Sequence, residues 1–559
     1  MLRALLGSAA FLALSVSVSW AGQCPSIGPA PRLPVSAKGY ETLPNHSLDK
    51  DGVLAFDYGA AYNNLGKHND PYFVSIYALT LYRDWLNSSC TDEQLKRKFL
   101  IQVEWLNKSA EWRGDLAVWA HPFENSYYHL KPGWISGIGQ SRIASALYRA
   151  GAVTGDGKFA RTADGAMLTY LRPTTDGGVV NIDGDVTWIE EAPDPNGRSY
   201  KVLNGHITAL SGIYDVFQIT KDPRWKEVFD RGVAAVKRDI PKFDAGFASA
   251  YSLDSPSSAR PIANLKDYNI LHVSQLLWLY EVDRDPVFLY WASRFQAYEL
   301  NTDTLSASNS INAKDFGPDK AAGLYYNHYW STGTYPTTFT LSMKRPEALS
   351  RVAIDGHILP TSPSYFDVEL LLGNNIVWKH SVEGIRKQNI DIDVPVTGKV
   401  DSVRLILKRT VADEVMALTA VAAVRAERPF APISRDCNYR PDSSKSPIRY
   451  NVDRAFDRDT QSVMEIYCPG FIVFPTNGAN QFQIDGKIAD GATIKIKTST
   501  DLLNWSNPVE VPANAPWNIP TDATFVEIEH SDSISIIREI KFRYPSDWPW
   551  PLEFLNPEH

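Results

Sequence analysis

The sequence predicts an incomplete (α/α) toroid of helical hairpins followed by two antiparallel β-sandwich domains. Eight segments of the first half show helical apolar spacing and fall into four pairs. The turns inside these pairs recur at a nearly constant interval, which is typical of a repeat architecture. Beyond Gly333 the pattern changes to short stretches of strand type, and 559 residues are too many for one ordinary domain.

The predicted helices are residues 73–87, 93–107, 136–150, 158–171, 205–219, 224–240, 270–282 and 287–300. The turn inside each pair carries an acidic candidate for capping the second helix, namely Asp92, Asp156, Asp222 and Asp285. These residues recur at intervals of 64, 66 and 63 positions. Helical hairpins repeated at this length stack into a solenoid or close into a toroid. We therefore expect inner helix ends and crossover loops to line a cleft.

The second half predicts two sets of short strands. The first set is residues 337–343, 352–354, 366–372, 389–392, 402–408 and 418–424. The second set, after a linker rich in Pro, Asp and Ser at 428–446, is 461–466, 470–474, 493–498, 524–529 and 536–542. We expect a signal peptide at 1–21, a helical catalytic domain at 22–332, and β-sandwiches at 333–430 and 431–559, the last a candidate for carbohydrate binding.

The composition narrows the class of function. The net charge is −8 and no block of Lys and Arg stands out, so we expect no nucleic-acid partner. Arg3 and the apolar residues 4–20 predict a secretory signal peptide cleaved after Ala21, the alternative being an N-terminal membrane anchor. No later stretch approaches the length of a membrane span. The mature protein is therefore expected to be secreted or periplasmic, without membrane contact, and a homodimer is left open.

Four cysteines add to this picture. Cys24 and Cys90 lie early, whereas Cys437 and Cys468 lie late, which favours Cys24–Cys90 and Cys437–Cys468 disulfides in an oxidising compartment. Four cysteines allow three pairings, and this pairing is favoured because two cysteines lie early in the chain and two lie late. Their spacings match no zinc ribbon or finger. We expect neither a metal nor a cofactor.

Three connections between the predicted helical pairs are long, polar and aromatic. Residues 112–134 include Trp112, Tyr127, Tyr128 and Trp134, residues 176–200 alternate apolar and polar side chains, and residues 243–268 include Tyr251. Loops of this length inside a compact domain are usually functional. These connections are therefore expected to carry the site.

Four stretches of the helical half carry recognisable motifs. Residues 131–140 read KPGWISGIGQ, 188–193 read WIEEAP, 202–215 read VLNGHITALSGIYD, and 267–275 read DYNILHVSQ. They resemble the motifs P-G-W-x-S-x-x-x-Q, W-Y-E-E-Y-P, V-L-N-G-x-x-x-x-L-x-G-L-Y-D and D-Y-H-x-x-H-I-x-Q of the C-terminal domain of D-glucuronyl C5-epimerases, which act on heparosan-type polymers. The last stretch begins at Phe243, and its residues 243–251, FDAGFASAY, are similar to the family's Y-D-T-G-x-x-x-x-Y element, which ends at Tyr251. Their order and spacing agree over about residues 112–300, and the β-sandwiches lie outside the resemblance.

The resemblance implies C5-epimerisation of a hexuronic acid residue in a polymer. Removing the C5 proton builds up negative charge on the adjacent carboxylate, which cations or hydrogen-bond donors must neutralise. An acid on the opposite face then returns a proton and inverts the centre. Glu191 matches the functional glutamate of the family, and its neighbours Trp188 and Ile189 are expected to raise its pKa. Tyr268 and Tyr251 match active-site tyrosines, with Tyr268 as acid or base opposite Glu191; the alternative for both is core packing.

Further residues are expected to bind the substrate. Asn204 matches a substrate-contacting position, although Asn-Gly before a helix also reads as an N-cap. His272 lies one helical turn after Tyr268 and is a candidate for binding the carboxylate or polarising the tyrosine, the alternative being a structural histidine. Glu190, Trp134 and Gln140 complete the expected site, with Glu190 in a supporting role.

Two positions depart from the family motifs. The tyrosine after the Glu-Glu pair is Ala192 here, and the arginine three residues after the tyrosine that matches Tyr251 is Asp254. An arginine there would be expected to meet an acidic sugar. We therefore take Lys201, Arg260 and Lys266 as the candidates that supply the missing charge.

The sequence leaves three other functions open. A polysaccharide lyase begins with the same C5 proton abstraction but then expels the 4-linked sugar. An inverting glycosidase would use Glu190 or Glu191 with a distant carboxylate. A glycan-binding protein without activity would have lost its site at Ala192 and Asp254.

Overall fold

A computed structural model describes residues 24, 27–31, 36–59, 64–301, 303–325, 328–395, 398–427, 429–435, 451–456, 461–466, 469–530 and 533–545. The predicted signal peptide and both Cys437 and Cys468 lie outside these residues, as does most of the predicted linker. Within the described part of the chain, no helix is both long enough and apolar enough to cross a membrane.

The first half is helical, as predicted. The helices are α1 (Pro71–Asn87), α2 (Glu93–Ser109), α3 (Gly137–Thr154), α4 (Gly157–Met167), α5 (Leu203–Thr220), α6 (Pro223–Asp239), α7 (Tyr268–Asp283), α8 (Val287–Glu299) and the short α9 (Ala313–Phe316). The prediction for residues 158–171 was too long, because α4 ends at Met167 and a 3-10 turn follows.

Acidic residues begin the second helix of each pair. The carboxylates of Asp92, Asp156 and Asp222 accept hydrogen bonds from backbone amides in the first turns of α2, α4 and α6. Asp285 accepts from the Val287 amide at 3.0 Å. Each carboxylate satisfies a donor that the helix itself leaves unpaired. The predicted N-caps Asp92, Asp156 and Asp222 are confirmed, whereas the N-cap of α8 is Pro286, one residue after Asp285.

The helical pairs lie side by side through their first helices. Helices α1, α3, α5 and α7 contact one another in that order, and each contacts its own partner. Every residue of α5 from Leu203 to Ile213 is buried, whereas α6 buries one face. The first helices are thus the inner layer and the second helices the outer layer. Closure into an incomplete toroid stays a prediction.

The long connections all meet at the N-terminal ends of the inner helices. The connection before α3 holds the hairpin of β4 (Glu111–Arg113) and β5 (Leu116–Val118). The connection before α5 holds the hairpin of β6 (Val180–Asp183) and β7 (Val186–Ile189), as its alternation predicted. These hairpins and the loop before α7 gather at one end of the helical layer.

An N-terminal sheet that we did not predict packs on α1. It consists of β1 (His46–Leu48), β2 (Leu54–Tyr58) and β3 (Gly66–His68). Phe56 of β2 stacks on Phe73 of α1, with ring centroids 4.5 Å apart. The predicted disulfide between Cys24 and Cys90 is present, with Cα atoms 5.6 Å apart. It ties the N-terminal segment to the turn after α1.

The first strand set forms two layers joined by one long strand. The strands are β8 (Thr304–Ala307), β9 (Trp330–Thr332), β10 (Thr337–Gly356), β11 (Pro363–Leu372), β12 (Asn375–Val382), β13 (Asn389–Asp393), β14 (Lys399–Thr410) and β15 (Met416–Arg425). The N-terminal part of β10 pairs with β8 and β14, and its C-terminal part pairs with β13 and β15. Predicted strands 337–343 and 352–354 are therefore one strand, with an irregular register between Ser342 and Glu347. Strand β12 escaped prediction because most of its residues are exposed.

The second strand set forms two sheets around a separate apolar core. The strands are β16 (Ile433–Arg435), β17 (Met464–Glu465), β18 (Gly470–Pro475), β19 (Gln481–Ile488), β20 (Thr493–Ser499), β21 (Val509–Pro512), β22 (Trp517–Asn518), β23 (Phe525–His530) and β24 (Ile534–Arg543). Their orders are β16-β18-β23-β20-β21 and β17-β24-β19-β22. The predicted linker is wrong in part, because β16 lies within it and pairs with β18.

Candidate active site

Three predicted residues meet where the crossover connections gather. Glu191 follows β7, Tyr251 lies in the connection before α7, and Tyr268 is the first residue of α7. The Tyr251 hydroxyl donates to Glu191 Oε2 at 3.4 Å. The rings of Tyr251 and Tyr268 contact edge to face, with centroids 4.9 Å apart. Residues separated by up to 77 positions thus form one cluster of a carboxyl group and two phenols.

Close backbone packing holds Glu191 in place. The Gly137 amide at the start of α3 donates to the Glu191 carbonyl at 3.0 Å. A Cβ atom at Gly205, in the first turn of α5, would lie 2.7 Å from Glu191 Oε2, so only glycine leaves room for the carboxylate. The Asn204-Gly205 pair is therefore not an N-cap as the sequence suggested. The N-cap of α5 is Val202, and the glycine serves a close approach.

Burial controls the protonation of this cluster. It raises the pKa of Glu191 from 4.5 to about 7, against the lowering effect of the Tyr251 hydrogen bond, and nearby Glu190 raises it further. Burial and the negative charge of Glu191 raise the pKa of Tyr251 well above 10. Near neutral pH, Glu191 can therefore gain or lose a proton readily, whereas the Tyr251 hydroxyl stays protonated.

Glu190 is enclosed and cannot reach a substrate. Its side chain is fully buried. Oε1 accepts from Asn181 Nδ2 (2.9 Å) and Ser199 Oγ (2.5 Å), and Oε2 accepts from the amides of Tyr200 (3.1 Å) and Lys201 (3.3 Å). The structure thus corrects its assignment to the substrate-binding set. Glu190 links the β6–β7 hairpin to the segment that leads into α5. Because it is enclosed, it is not available as the catalytic acid that the glycosidase alternative would require.

Asn204 and Gln275 join the inner helices beneath the cluster. Gln275 Nε2 of α7 donates to the Asn204 carbonyl and to Thr208 Oγ1, both at 3.0 Å. Asn204 Oδ1 and Gln275 Oε1 are buried and find no hydrogen-bond partner among the described residues. Asn204 therefore lies at the start of α5, near Glu191, and its Oδ1 can still accept a hydrogen bond.

His272 is buried and neutral. Its Nδ1 donates to Ser249 Oγ (2.8 Å), because that hydroxyl in turn donates to Asn269 Oδ1 (2.8 Å). Burial lowers the pKa of His272 to about 3. A fully buried neutral imidazole cannot bind a carboxylate as a cation, so this expectation is corrected. His272 anchors the loop before α7 to the helix.

The three cations expected to meet the acidic sugar are engaged elsewhere. Lys201 pairs with Asp239 at 2.9 Å, and Lys266 pairs with Glu299 at 3.2 Å. Arg260 pairs with Asp355 (3.1 Å) and Asp391 (3.0 Å) of the first sandwich. Each of these cations thus joins two secondary-structure elements through an ion pair, and its role as a substrate ligand stays a prediction.

The two remaining predicted residues, Trp134 and Gln140, hold the connection before α3, and Trp134 packs against the same apolar group as Tyr251. Trp134 is partly buried, stacks on His121 with centroids 3.9 Å apart, and donates from Nε1 to the Phe123 carbonyl. Gln140 is buried in α3, where Nε2 donates to the Ala117 carbonyl of β5 at 3.0 Å. Gln140 therefore holds the β4–β5 hairpin and does not reach a ligand, which corrects its assignment.

Sequence reasoning missed three residues beside the cluster. Tyr128 belongs to the apolar cluster against which Tyr251 packs, and its ring lies 4.7 Å from that of Tyr200. The Arg198 guanidinium lies 4.8 Å from the centre of the Tyr200 ring and forms an ion pair with Asp254 at 2.7 Å. The many aromatic residues of loop 112–134 indicated that Tyr128 could belong to the site, but no local pattern indicated that it packs near Tyr251.

A carboxyl group with a near-neutral pKa beside protonated phenols is an arrangement suited to general acid–base catalysis. Residues 113–297 match the family model described as "D-glucuronyl C5-epimerase C-terminus". The match confirms, for this segment, the family resemblance that the motifs predicted.

Two curated relatives match the same part of the chain. A D-glucuronyl C5-epimerase of Caenorhabditis elegans is 30% identical over 228 residues, covering 37% of this chain and 35% of that protein. An uncharacterized protein of Methanocaldococcus jannaschii is 30% identical over 183 residues, covering 32% of this chain and 57% of that protein. The chain thus spans between about a third and three fifths of these relatives. The similarity supports an enzyme of the epimerase type.

Among solved structures, a Streptococcus pneumoniae fucose-binding module is 18% identical. It covers 22% of this chain and 93% of its own, with a TM-score of 0.19. The lectin domain of Lectinolysin with bound Lewis b antigen is 17% identical, covering 23% of this chain and 96% of its own, also with a TM-score of 0.19. Scores this low do not establish a shared fold.

Proposed function

We propose that this protein epimerises hexuronic acid residues of an acidic polysaccharide at C5. The observation that carries the proposal is Glu191, a carboxyl group with a pKa of about 7 that accepts a hydrogen bond from Tyr251 within the segment that matches the epimerase family. A general base works best when its pKa lies near the working pH. Glu191 meets that condition because burial opposes its ionisation.

In the proposed reaction, ionised Glu191 takes the C5 proton from the sugar. The electron pair delocalises into the adjacent carboxyl group, whose growing negative charge needs hydrogen-bond donors. Tyr268 delivers a proton to the opposite face of C5, so that the bond is remade with inverted configuration and no other bond breaks. Protonated Tyr251 stabilises the Glu191 carboxylate before the reaction. The same steps in reverse order give the opposite epimer.

The chain around the site supports a role outside the cytoplasm. The Cys24–Cys90 disulfide favours an oxidising compartment, such as the periplasm or the cell exterior. In this proposal residues 22–332 carry the reaction. The two β-sandwich regions bind polysaccharide or brace the helical layer, and Arg260 provides one such brace through Asp355.

The test is incubation of uronate polymers with the protein in heavy water. Deuterium appearing at C5 without chain cleavage is the expected result, and Glu191→Gln is the matched variant that should lose it. A rise in ultraviolet absorbance from an unsaturated uronate would instead indicate a lyase. Binding without either signal would contradict the proposed enzyme activity.

A further inference from the structure

Position 192 is where the chain departs from the Glu-Glu motif, and the structure shows what fills the space. Ala192 is buried in an apolar cluster with Tyr128, Leu130, Tyr200 and Val202. Tyr251 packs against the same cluster. A small side chain after the Glu-Glu pair thus coincides with a buried phenol supplied by another loop.

The loop before α3 holds Tyr128 firmly. Asn125 and Leu130 exchange backbone hydrogen bonds of 2.9 and 3.0 Å, which closes the loop around Tyr128. The Tyr128 amide donates to Asn125 Oδ1 at 3.2 Å, and His129 adopts a positive φ of 56° that turns the chain back. The Tyr128 side chain is only 8% exposed. Its position is therefore determined before any substrate arrives.

We propose that Tyr128 is a positioning residue that replaces the missing aromatic side chain at position 192 and orients the phenol of Tyr251 toward Glu191. The inference rests on the proposed function of Glu191 and Tyr251. Its geometric basis is that Tyr251 packs against the apolar cluster that holds Tyr128 and also donates to Glu191. The proposed line of hydrogen bonds runs from Tyr128 through Tyr251 to Glu191, and the two phenols influence each other's ionisation as such a line requires. A phenol has one donor and can also accept, so a second phenol completes the line.

The line supports both charge states of Glu191. In the proposed line, Tyr251 donates to ionised Glu191, as in the structure, and Tyr128 turns its hydroxyl to donate to the Tyr251 oxygen. When Glu191 is protonated, the same three groups are satisfied with both hydrogen bonds reversed. Hydrogen bonds in such a chain polarise one another, so the Tyr128 hydroxyl strengthens the bond from Tyr251 to the carboxylate. Tyr128 should therefore lower the pKa of Glu191 relative to a chain without that hydroxyl.

The first experiment compares Tyr128→Phe with Tyr127→Phe. The pH dependence of C5 deuterium exchange and a carboxyl infrared titration of Glu191, assigned with Glu191→Gln, are measured for both variants. Tyr128→Phe should move the apparent pKa of Glu191 upward by about half a unit to one unit, the worth of one indirect hydrogen bond. Tyr127, which is 45% exposed, is the neighbouring control and should leave the pKa in place. An unchanged titration in Tyr128→Phe would overturn the inference.

The second experiment moves the aromatic ring back to position 192. Tyr128→Ala should lower C5 exchange at least about tenfold. Tyr128→Ala with Ala192→Tyr should recover most of that loss, because the new side chain enters the space just vacated. A double variant no faster than Tyr128→Ala would refute the replacement. The infrared titration needs no turnover, so it judges Tyr128 even if the wild-type protein proves to have no epimerase activity.

A separate observation concerns the other departure, Asp254. Arg198 donates from Nε to Asp254 Oδ2 at 2.7 Å and from Nη2 to the Ser255 carbonyl at 3.0 Å. Its guanidinium lies 4.8 Å from the centre of the Tyr200 ring, and the side chain is 42% exposed. Nη1 makes no hydrogen bond to any described residue. A partly exposed cation is thus held beside Tyr200, with one donor group that no described residue engages.

We infer that Arg198, braced by Asp254, binds a carboxylate of the sugar chain. This inference also rests on the proposed polysaccharide substrate. Exchanging an arginine at position 254 for an Arg198–Asp254 pair keeps a guanidinium in the same region. All four candidate cations form ion pairs, but the Arg198 side chain is 42% exposed, whereas those of Lys201, Arg260 and Lys266 are 21%, 17% and 27% exposed. Arg198, beside Tyr200, is therefore the most accessible of them. A guanidinium suits a carboxylate because its planar donors match the two oxygens.

Calorimetric binding of a uronate oligosaccharide and of its carboxyl-reduced neutral form tests the inference. The wild-type protein should prefer the acidic form, and Arg198→Gln should lose that preference at least about tenfold. Arg224→Gln is the matched control, since Arg224 also pairs with an aspartate and stacks on Trp225, but lies in the first turn of α6. Equal preference in wild type and Arg198→Gln would overturn the inference. Binding with the expected preference but without C5 exchange would count against the enzyme activity alone. A sulfated oligosaccharide without uronate that binds as tightly as the uronate would contradict carboxylate recognition.

Discussion

Replacing Glu191 by glutamine should remove the reaction and stabilise the protein at the same time. The substitution keeps the shape of the side chain and removes its proton-accepting charge. Tyr251 can still donate to the amide oxygen at the position that Oε2 occupies now. Loss of the base should slow C5 exchange by about 10²–10⁴-fold, which corresponds to about 3–5 kcal/mol in the barrier.

The gain in stability follows from the raised pKa. The unfolded chain loses the Glu191 proton near its ordinary pKa of 4.5, but the folded protein keeps it until about pH 7. As pH rises through this window, ionised Glu191 progressively destabilises the fold. The pKa difference corresponds to about 3 kcal/mol, which partial exposure of the side chain reduces to roughly 2 kcal/mol. The penalty is absent at pH 4 and complete above pH 7.

Thermal unfolding of wild type and Glu191→Gln between pH 4 and pH 8 measures this effect. The variant should match the wild type at pH 4 and unfold roughly 4–8 °C higher at pH 8, given the size of the helical domain. Glu227→Gln, an exposed change on α6, is the control and should show no pH-dependent difference. A Glu191→Gln variant that is equally stable at every pH, or that still exchanges C5 protons, would refute the reasoning.

Three further predictions concern the same protein. Tyr268→Phe should keep folding and glycan affinity but lower C5 exchange at least about a hundredfold; exchange at the wild-type rate would make Tyr268 a packing residue. Gly205→Ala should cut exchange at least about tenfold because its Cβ would displace the Glu191 carboxylate, while Gly139→Ala, whose Cβ would have no contact closer than 3.8 Å, should not. Cys437 and Cys468 should be disulfide-bonded in the secreted protein, closing a loop worth about 3–4 kcal/mol; non-reducing peptide mapping that finds free thiols would disprove this.

Local patterns in the sequence were enough for the elements that depend on near neighbours. Helical spacing and the capping residues Asp92, Asp156 and Asp222 predicted the hairpins to within a few residues, because caps and periodicity act over one or two turns. The motifs also predicted Glu191 and Tyr251, which meet although 60 positions separate them. Motif resemblance carried that information, since spacing alone does not bring two loops together.

Only the tertiary structure decided which charged and polar groups remain available. Lys201 finds Asp239 38 positions away, and Arg260 finds Asp391 131 positions away, so neither pairing is visible in a local window. Burial makes His272 neutral, and burial is a property of the assembled layers. For the same reason the phenol of Tyr128, supplied by a different connection, could not be assigned to the space beside Ala192 from sequence. Local interactions set the helices and strands, whereas desolvation and long-range pairing select the chemistry of the site.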